Sequence, residues 1–189
     1  MVCDIGGGTS DVAIFSLGEI VVSQSVRVAG DELDEAVVEY LKQRFSLRIG
    51  TPTAEKVKIQ IGSAYPLEQE LTMEVRGLDT ISGVPRKAVV TSEEIREALR
   101  EPVTAILNCV KNCIAQCKPE LVGDIVDHGM VLTGGGALLR GLDQLMNEQL
   151  GIPVRVADDP LTTVARGTAI CLDHLSQWRS SLDDGAKDF

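Results

Sequence analysis

The sequence predicts an α/β fold: a mixed sheet flanked by helices, with a small α+β subdomain inserted between its two parts. Three observations predict it. A strand-like segment at residues 2–5 passes through Gly6-Gly7-Gly8-Thr9-Ser10 into an alternating strand at 11–17. In the last third, a strand at 129–132 runs through Thr133-Gly134-Gly135-Gly136 into a helix-like segment at 137–149. Between these lies a stretch, 51–91, whose pattern is helix, strand, strand. The parts 1–50 and 92–176 therefore form one larger unit, 51–91 an inserted smaller one, and 177–189 a polar tail.

Taken in order, the first strand is short and apolar, and the second alternates through Val12, Ile14 and Leu17. Gly18 turns the chain into a third strand at 19–28, which gives a three-stranded meander. Gly30-Asp31 opens a helix, with Asp31 as expected N-cap and Glu32, Asp34 and Glu35 in the first turn. Lys42, Arg44 and Arg48 near its end suit the helix dipole. Leu33, Val37, Tyr40, Leu41 and Phe45 form its apolar face, and Gly50 is expected to end it. A second helix spans about 51–63. Strands at 70–76 and 86–90 follow, joined by a loop containing Gly77 and Gly83. Thr91-Ser92-Glu93-Glu94 is a capping box that opens a long helix to about Cys117. Pro102 inside it predicts a bend. The last strand spans 152–156. A final helix is expected from Pro160, capped by Asp159, to Ser176.

Composition excludes several classes. The net charge of −10 repels phosphate backbones, so nucleic acid is not an expected partner. No run of apolar residues is long enough to span a membrane, and Met1 enters a strand without the basic segment of a signal peptide. The five cysteines show no paired spacing of a disulfide framework. Cys109, Cys113 and Cys117 have metal-compatible spacing on a helix. Cys113 and Cys117 also extend the stripe Leu99, Val103, Ile106 and Val110, so packing in a reducing cytoplasm is the expected role.

Three stretches point to chemistry. In Asp4-Ile5-Gly6-Gly7-Gly8-Thr9-Ser10-Asp11, glycines allow backbone N–H groups to approach an anion. Thr9 and Ser10 add hydroxyl donors. Asp4, ending the strand, suits a hydrated Mg²⁺, which keeps waters and takes few carboxylates. A plain hairpin would need fewer glycines. Second, Thr133-Gly134-Gly135-Gly136-Ala137-Leu138-Leu139 links a strand to a helix, where free amides bind phosphate. It fits neither the GxxxxGK[ST] loop nor the GxGxxG fingerprint, and close backbone packing would also explain it. Third, Glu55 and Lys58 share a helix face. A glutamate there can bond a ribose hydroxyl and a lysine stem can cover an adenine, although by itself the pair reads as a surface ion pair.

Together these stretches resemble the C-terminal half of the actin-like ATPase fold, which is ribonuclease H-like, and within it the MreB-type cell-shape filament family. The resemblance rests on DIGGGTSDVAIFSLGEIVVSQSVRVAGDELDEA, IGSAYPLEQELTMEVRG, TSEEIREALREPV, MVLTGGGALLRGLDQL and GIPVRVADDPLTTVARGTA. It implies one lobe of an ATP cleft. Gly6, Gly7, Gly8 and Thr9 would belong to the second phosphate loop, and Asp4 would be the Mg²⁺-side aspartate, acting through water. Glu55 and Lys58 would line ribose and adenine. Gly134, Gly135, Gly136, Ala137 and Leu138 would form the adenosine loop. The implied cofactors are ATP or ADP with Mg²⁺. The helix from Pro160 would cross a partner helix at the interlobe hinge, through its small Ala165, Gly167 and Ala169.

The family's first phosphate loop and its catalytic glutamate have no counterpart in these residues. No catalytic residue is therefore assigned, and the chain is expected to be a truncated form with doubtful hydrolysis alone. The implied partners are further copies in a filament, a full-length homologue, or membrane proteins of cell-wall elongation. The expected location is the cytoplasm, with membrane association through partners only. The alternatives are a non-polymerising regulator of full-length filaments, a sugar- or acetate-kinase-type fragment, and a chaperone-type ATPase fragment.

Overall fold

The computed structural model describes residues 1–175 and 178; the tail expected at 177–189 falls, Trp178 apart, outside this range, as does Ser176. Eight strands and six helices are described, forming two sheets. The larger sheet contains β1 (Val2–Ile5), β2 (Ser10–Ser16), β3 (Glu19–Val26), β7 (Met130–Thr133) and β8 (Val154–Val156), in the order β3-β2-β1-β7-β8. β1, β2 and β3 form the expected antiparallel meander, whereas β1–β7 and β7–β8 pair in parallel. The sheet is therefore mixed, with β1 at its centre and β3 and β8 at its edges.

The smaller sheet is antiparallel, in the order β4-β5-β6: Leu47–Arg48, Thr72–Asp79 and Pro85–Thr91. It differs from the expectation in two ways. The hairpin strands run longer on the loop side, and a two-residue strand is added from the segment before residue 51. The helix α1 (Gly30–Phe45) ends at Phe45, not Gly50. Ser46 closes it in the left-handed region at φ 52°, and Gly50 instead caps the start of α2 (Thr51–Ile61). Asp31 is not the N-cap of α1. Ala29 holds that position, and its N–H donates to the Glu32 carboxylate at 2.9 Å.

Helix α3 (Ser92–Ala115) opens with the expected capping box: Thr91 Oγ1 accepts from the Glu94 N–H and the Glu94 carboxylate accepts from the Thr91 N–H. It runs unbroken through Pro102 and stops two residues before Cys117. Leu99, Val103, Ile106, Val110, Cys113 and Cys117 are all buried, so the stripe that included the cysteines is a core face. Cys113 Sγ lies 3.9 Å from the Val12 carbonyl oxygen of β2. Burial pushes the Cys3 thiol up to about 12 and the Cys113 thiol up to about 11. Cys171 alone of the five is half-exposed. A thiol-reactive disulfide reagent at about pH 8 should therefore modify one cysteine per native chain and all five after denaturation. Two or more fast thiols in the native state would contradict this packing.

Three further elements depart from the expectation. Helix α4 (Pro119–His128) fills a stretch with no expected element between the long helix and the strand at 129–132. The segment after β7 does not enter a helix at Ala137. It makes a 3₁₀ turn (Gly135–Leu138), and α5 (Leu142–Leu150) begins only after Gly141 takes φ 70°. The last helix, α6 (Thr163–Asp173), starts three residues beyond Pro160. Asp159 leads a turn instead of capping the helix: its carboxylate accepts from Thr162 Oγ1 at 2.5 Å and its carbonyl from Thr163 Oγ1 at 2.9 Å. No residue of α6 is buried, and Leu161, Val164, Ile170 and Leu172 are exposed by 70, 62, 56 and 66%.

Candidate functional site

Parallel pairing of β1 with β7 decides where the site lies. Asp4 is in register with Thr133, so both strands end at the same edge and both glycine turns leave from it. The first turn is closed by the Gly6 N–H donating to the Thr9 carbonyl at 2.9 Å. The start of α1 braces it from behind: the Gly30 N–H donates to the Gly6 carbonyl at 3.1 Å and the Asp31 N–H to the Gly7 carbonyl at 2.8 Å. A Cβ on Gly30 would lie 3.2 Å from the Gly6 oxygen, so glycine permits this approach.

The second turn is seated on β1. Gly134 has φ 80° and ψ 169°, a region open essentially to glycine alone. A Cβ there would collide with the Ile5 carbonyl oxygen and with Asp4 Oδ1, and one on Gly136 with the Ile5 side chain. The Gly134 N–H donates to the Pro160 carbonyl at 3.0 Å, which ties the approach to α6 to the same turn.

Between the turns opens a cavity of about 570 Å³. Gly6 and Gly7 line one wall, Gly135, Gly136 and Leu138 the opposite one, and Glu55 and Lys58 of α2 a third. Seven of the twelve residues singled out in the sequence thus meet around one space. Gly8 and Thr9 continue the first turn beyond the lining and are exposed; Thr9 Oγ1 donates to Asp11 Oδ2 at 2.9 Å. Gly134 lies beneath the second turn, and Ala137, 2% exposed, faces the core. A larger hollow, about 790 Å³, lies between α1, α3 and α5, but it contains none of the glycine turns.

Asp4 stands directly opposite Asp11 across the β1–β2 pair. Burial, and then the Asp11 carboxylate, push its carboxyl above the ordinary aspartate range. Two neighbouring carboxylates beside a glycine turn could hold a hydrated divalent cation, which takes one or two carboxylates and completes its shell with water.

The sequence did not reveal Asp34 or Arg140. Asp34 is 6% exposed and lines the cavity, where its Oδ1 lies 2.8 Å from Lys58 Nζ. Lys58 pairs with it and not with Glu55. Arg140, also lining the cavity, donates from Nη1 to the Ile59 and Gly62 carbonyls at 2.9 and 3.2 Å and so satisfies the end of α2. Nothing in the local spacing of either residue signals its partner, because each reaches a different element.

The family model described as MreB/Mbl protein matches residues 1–180. The chain belongs to the MreB/Mbl family. It is 53% identical over 173 residues to the cell shape-determining protein MreB of Escherichia coli K12, covering 92% of this chain and 50% of that protein. It is 46% identical over 177 residues to the cell shape-determining protein Mbl of Bacillus subtilis 168, covering 94% and 53%. Among solved structures it resembles MreB5 of Spiroplasma citri bound to AMPPNP, with a TM-score of 0.89, 38% identity, and coverage of 97% of this chain and 54% of that one. The MamK double helical filament matches with a TM-score of 0.68 at 22% identity, over 85% of this chain and 50% of that one, and supports the actin-like fold alone. The chain thus spans about half the length of the curated MreB and Mbl relatives it matches. Among the described residues, no helix is long and apolar enough to cross a membrane.

Proposed function

We propose that this chain is the adenine-nucleotide-binding part of an actin-like cytoskeletal protein that acts in bacterial cell shape. The observation that carries the reading is the convergence of Gly6-Gly7 and Gly135-Gly136 on one cavity, from neighbouring parallel strands. The first turn offers backbone amides to phosphates, and the Thr9 hydroxyl would join them by turning away from Asp11. The second offers the exposed amides of a 3₁₀ turn to the nucleoside side, with Leu138 as an apolar wall and Glu55 placed for ribose hydroxyls. Asp4 and Asp11 would hold Mg²⁺ through water, and the cation would neutralise phosphate charge. The Spiroplasma citri MreB5 structures bound to AMPPNP and to ADP support the ligand class.

Head-to-tail association of copies fits the same reading, since heterologous contacts build open filaments. The small sheet of one copy would meet the larger unit of the next. We place the protein in the cytoplasm, with membrane contact made through partner proteins of cell-wall elongation.

The first glycine turn would contact phosphates from one side, whereas phosphoryl transfer draws on both. Titration calorimetry with MgATP should therefore give a Kd weaker than about 10 µM, a binding free energy below about 7 kcal/mol. No steady turnover is expected from the chain alone. The absence of any binding heat or nucleotide-dependent melting shift at millimolar ATP would refute the nucleotide reading. Micromolar affinity with steady hydrolysis would refute the one-sided site.

A further inference from the structure

The ammonium of Lys58 does not point freely into the cavity. It lies 2.8 Å from Asp34 Oδ1 and donates to the Gly30 carbonyl at 3.1 Å. The Lys58 side chain is 15% exposed and that of Asp34 8%, so the pair is shielded from solvent screening. Asp34 Oδ1 has no other polar partner among the described residues. A buried ion pair is weak evidence of stabilisation in itself, since an apolar pair of similar volume often does as well. Its geometry shows something more specific. Gly30, which takes the Lys58 bond on its carbonyl, gives its own N–H to the Gly6 carbonyl of the first glycine turn.

A continuous chain of polar contacts therefore runs from α2, through Lys58 and Gly30, to the turn proposed to hold phosphates. Asp34 anchors it at the only point where a charge is supplied. Arg140 makes a second tie at the same C-terminal end of α2, from the second glycine turn's side, through the Ile59 and Gly62 carbonyls. α2 is thus fastened to both walls of the cavity. Lysine has three ammonium donors. Asp34 and Gly30 use two, which leaves one donor and the methylene stem for the cavity that Lys58 lines.

We infer that Asp34 is a positioning residue: through Lys58 and Gly30 it fixes α2 against the first glycine turn, and so sets the geometry of the nucleotide cavity. The inference rests on the adenine-nucleotide reading above. In this role Asp34 acts through Lys58 and not as a direct ligand of the nucleotide. Its contribution is coupling, so occupancy of the cavity tightens the contact between α2 and the turn, and loosening that contact weakens binding.

The test is a double-mutant cycle with MgATP on the full chain: Asp34→Asn, Lys58→Met, and the two combined. Each variant is measured by titration calorimetry, by thermal melting, and by hydrogen exchange of α2 amides with and without MgATP. Each single variant should weaken ATP binding about tenfold, and the double should be within about twofold of Lys58→Met, because the two residues act as one unit. ATP should slow exchange along α2 in the wild type and not in Asp34→Asn. The double variant carries a neutral pair and keeps the test decisive where Asp34→Asn alone fails to fold. It should still lose about tenfold in affinity. Variants that melt earlier yet bind ATP like the wild type would reduce Asp34 to a structural role and overturn the inference. A wild type that binds no ATP would instead overturn the functional reading, and this inference with it.

Discussion

Gly134→Ala should destabilise the fold by about 3 kcal/mol and abolish nucleotide binding. Two costs combine at this position. The backbone sits at φ 80° and ψ 169°, where a side chain costs about 1–3 kcal/mol. A methyl group there would also strike the Ile5 carbonyl and the Asp4 carboxylate, and such overpacking costs a further 1–3 kcal/mol or so. Relief of the clash must push the second glycine turn away from β1, which opens the cavity on one side. Gly151→Ala provides the comparison. Gly151 also has a positive φ, of 68°, but a Cβ there meets nothing within 4 Å. It should cost only the left-handed strain, about 1 kcal/mol, and leave binding unchanged. Urea unfolding and MgATP calorimetry on both variants would check this. Equal losses at the two positions would show that the seating of the turn on β1 is not what matters.

The second large effect is expected at α6. All its residues face solvent to some degree, and with Val164 and Leu172 apolar and exposed it is the surface expected to drive self-association. Val164→Glu with Leu172→Lys replaces both with charges suited to their ends of the helix dipole. Surface changes of this kind move stability by no more than about 0.5 kcal/mol. Self-association, read by sedimentation velocity over a concentration series, should weaken at least tenfold, which corresponds to about 1.4 kcal/mol. Binding of a hydrophobic dye should fall in parallel. Unchanged association would place the sticky surface elsewhere, for example at the β2–β3 hairpin tip, where Leu17 is fully exposed.

What was legible in the sequence were features written locally. Thr91 and Glu94 sit at the spacing a capping box requires, and they cap α3. The stripe from Leu99 to Cys113 follows helical periodicity, and it is buried. The two glycine turns stand out because glycine is needed where backbone meets backbone, as at Gly30 and Gly134. The illegible features are set by distant partners. Leu47–Arg48 becomes a strand only because Leu78 and Asp79 lie beside it. Proline marks the first turn of a helix as readily as the stretch after one, and Pro119, two residues past the end expected for α3, starts α4. Residues 137–149 look continuously helical, but Gly141 at φ 70° delays α5 until Leu142. Asp34 counted as one acid among several in a first helical turn. Only the packing of α2 on α1 turns it inward to Lys58.

The central place of β1 bears on how the chain is made. Its partner on one side, β2, follows at once, but its partner on the other, β7, comes only at Met130–Thr133. During synthesis at about 5–20 residues per second, one flank of β1 stays unsatisfied for roughly 10 s. Pairings so far apart along the chain also fold slowly. The nascent meander must survive that interval with an apolar ribbon uncovered. Shielding of that ribbon until β7 emerges should therefore favour correct pairing.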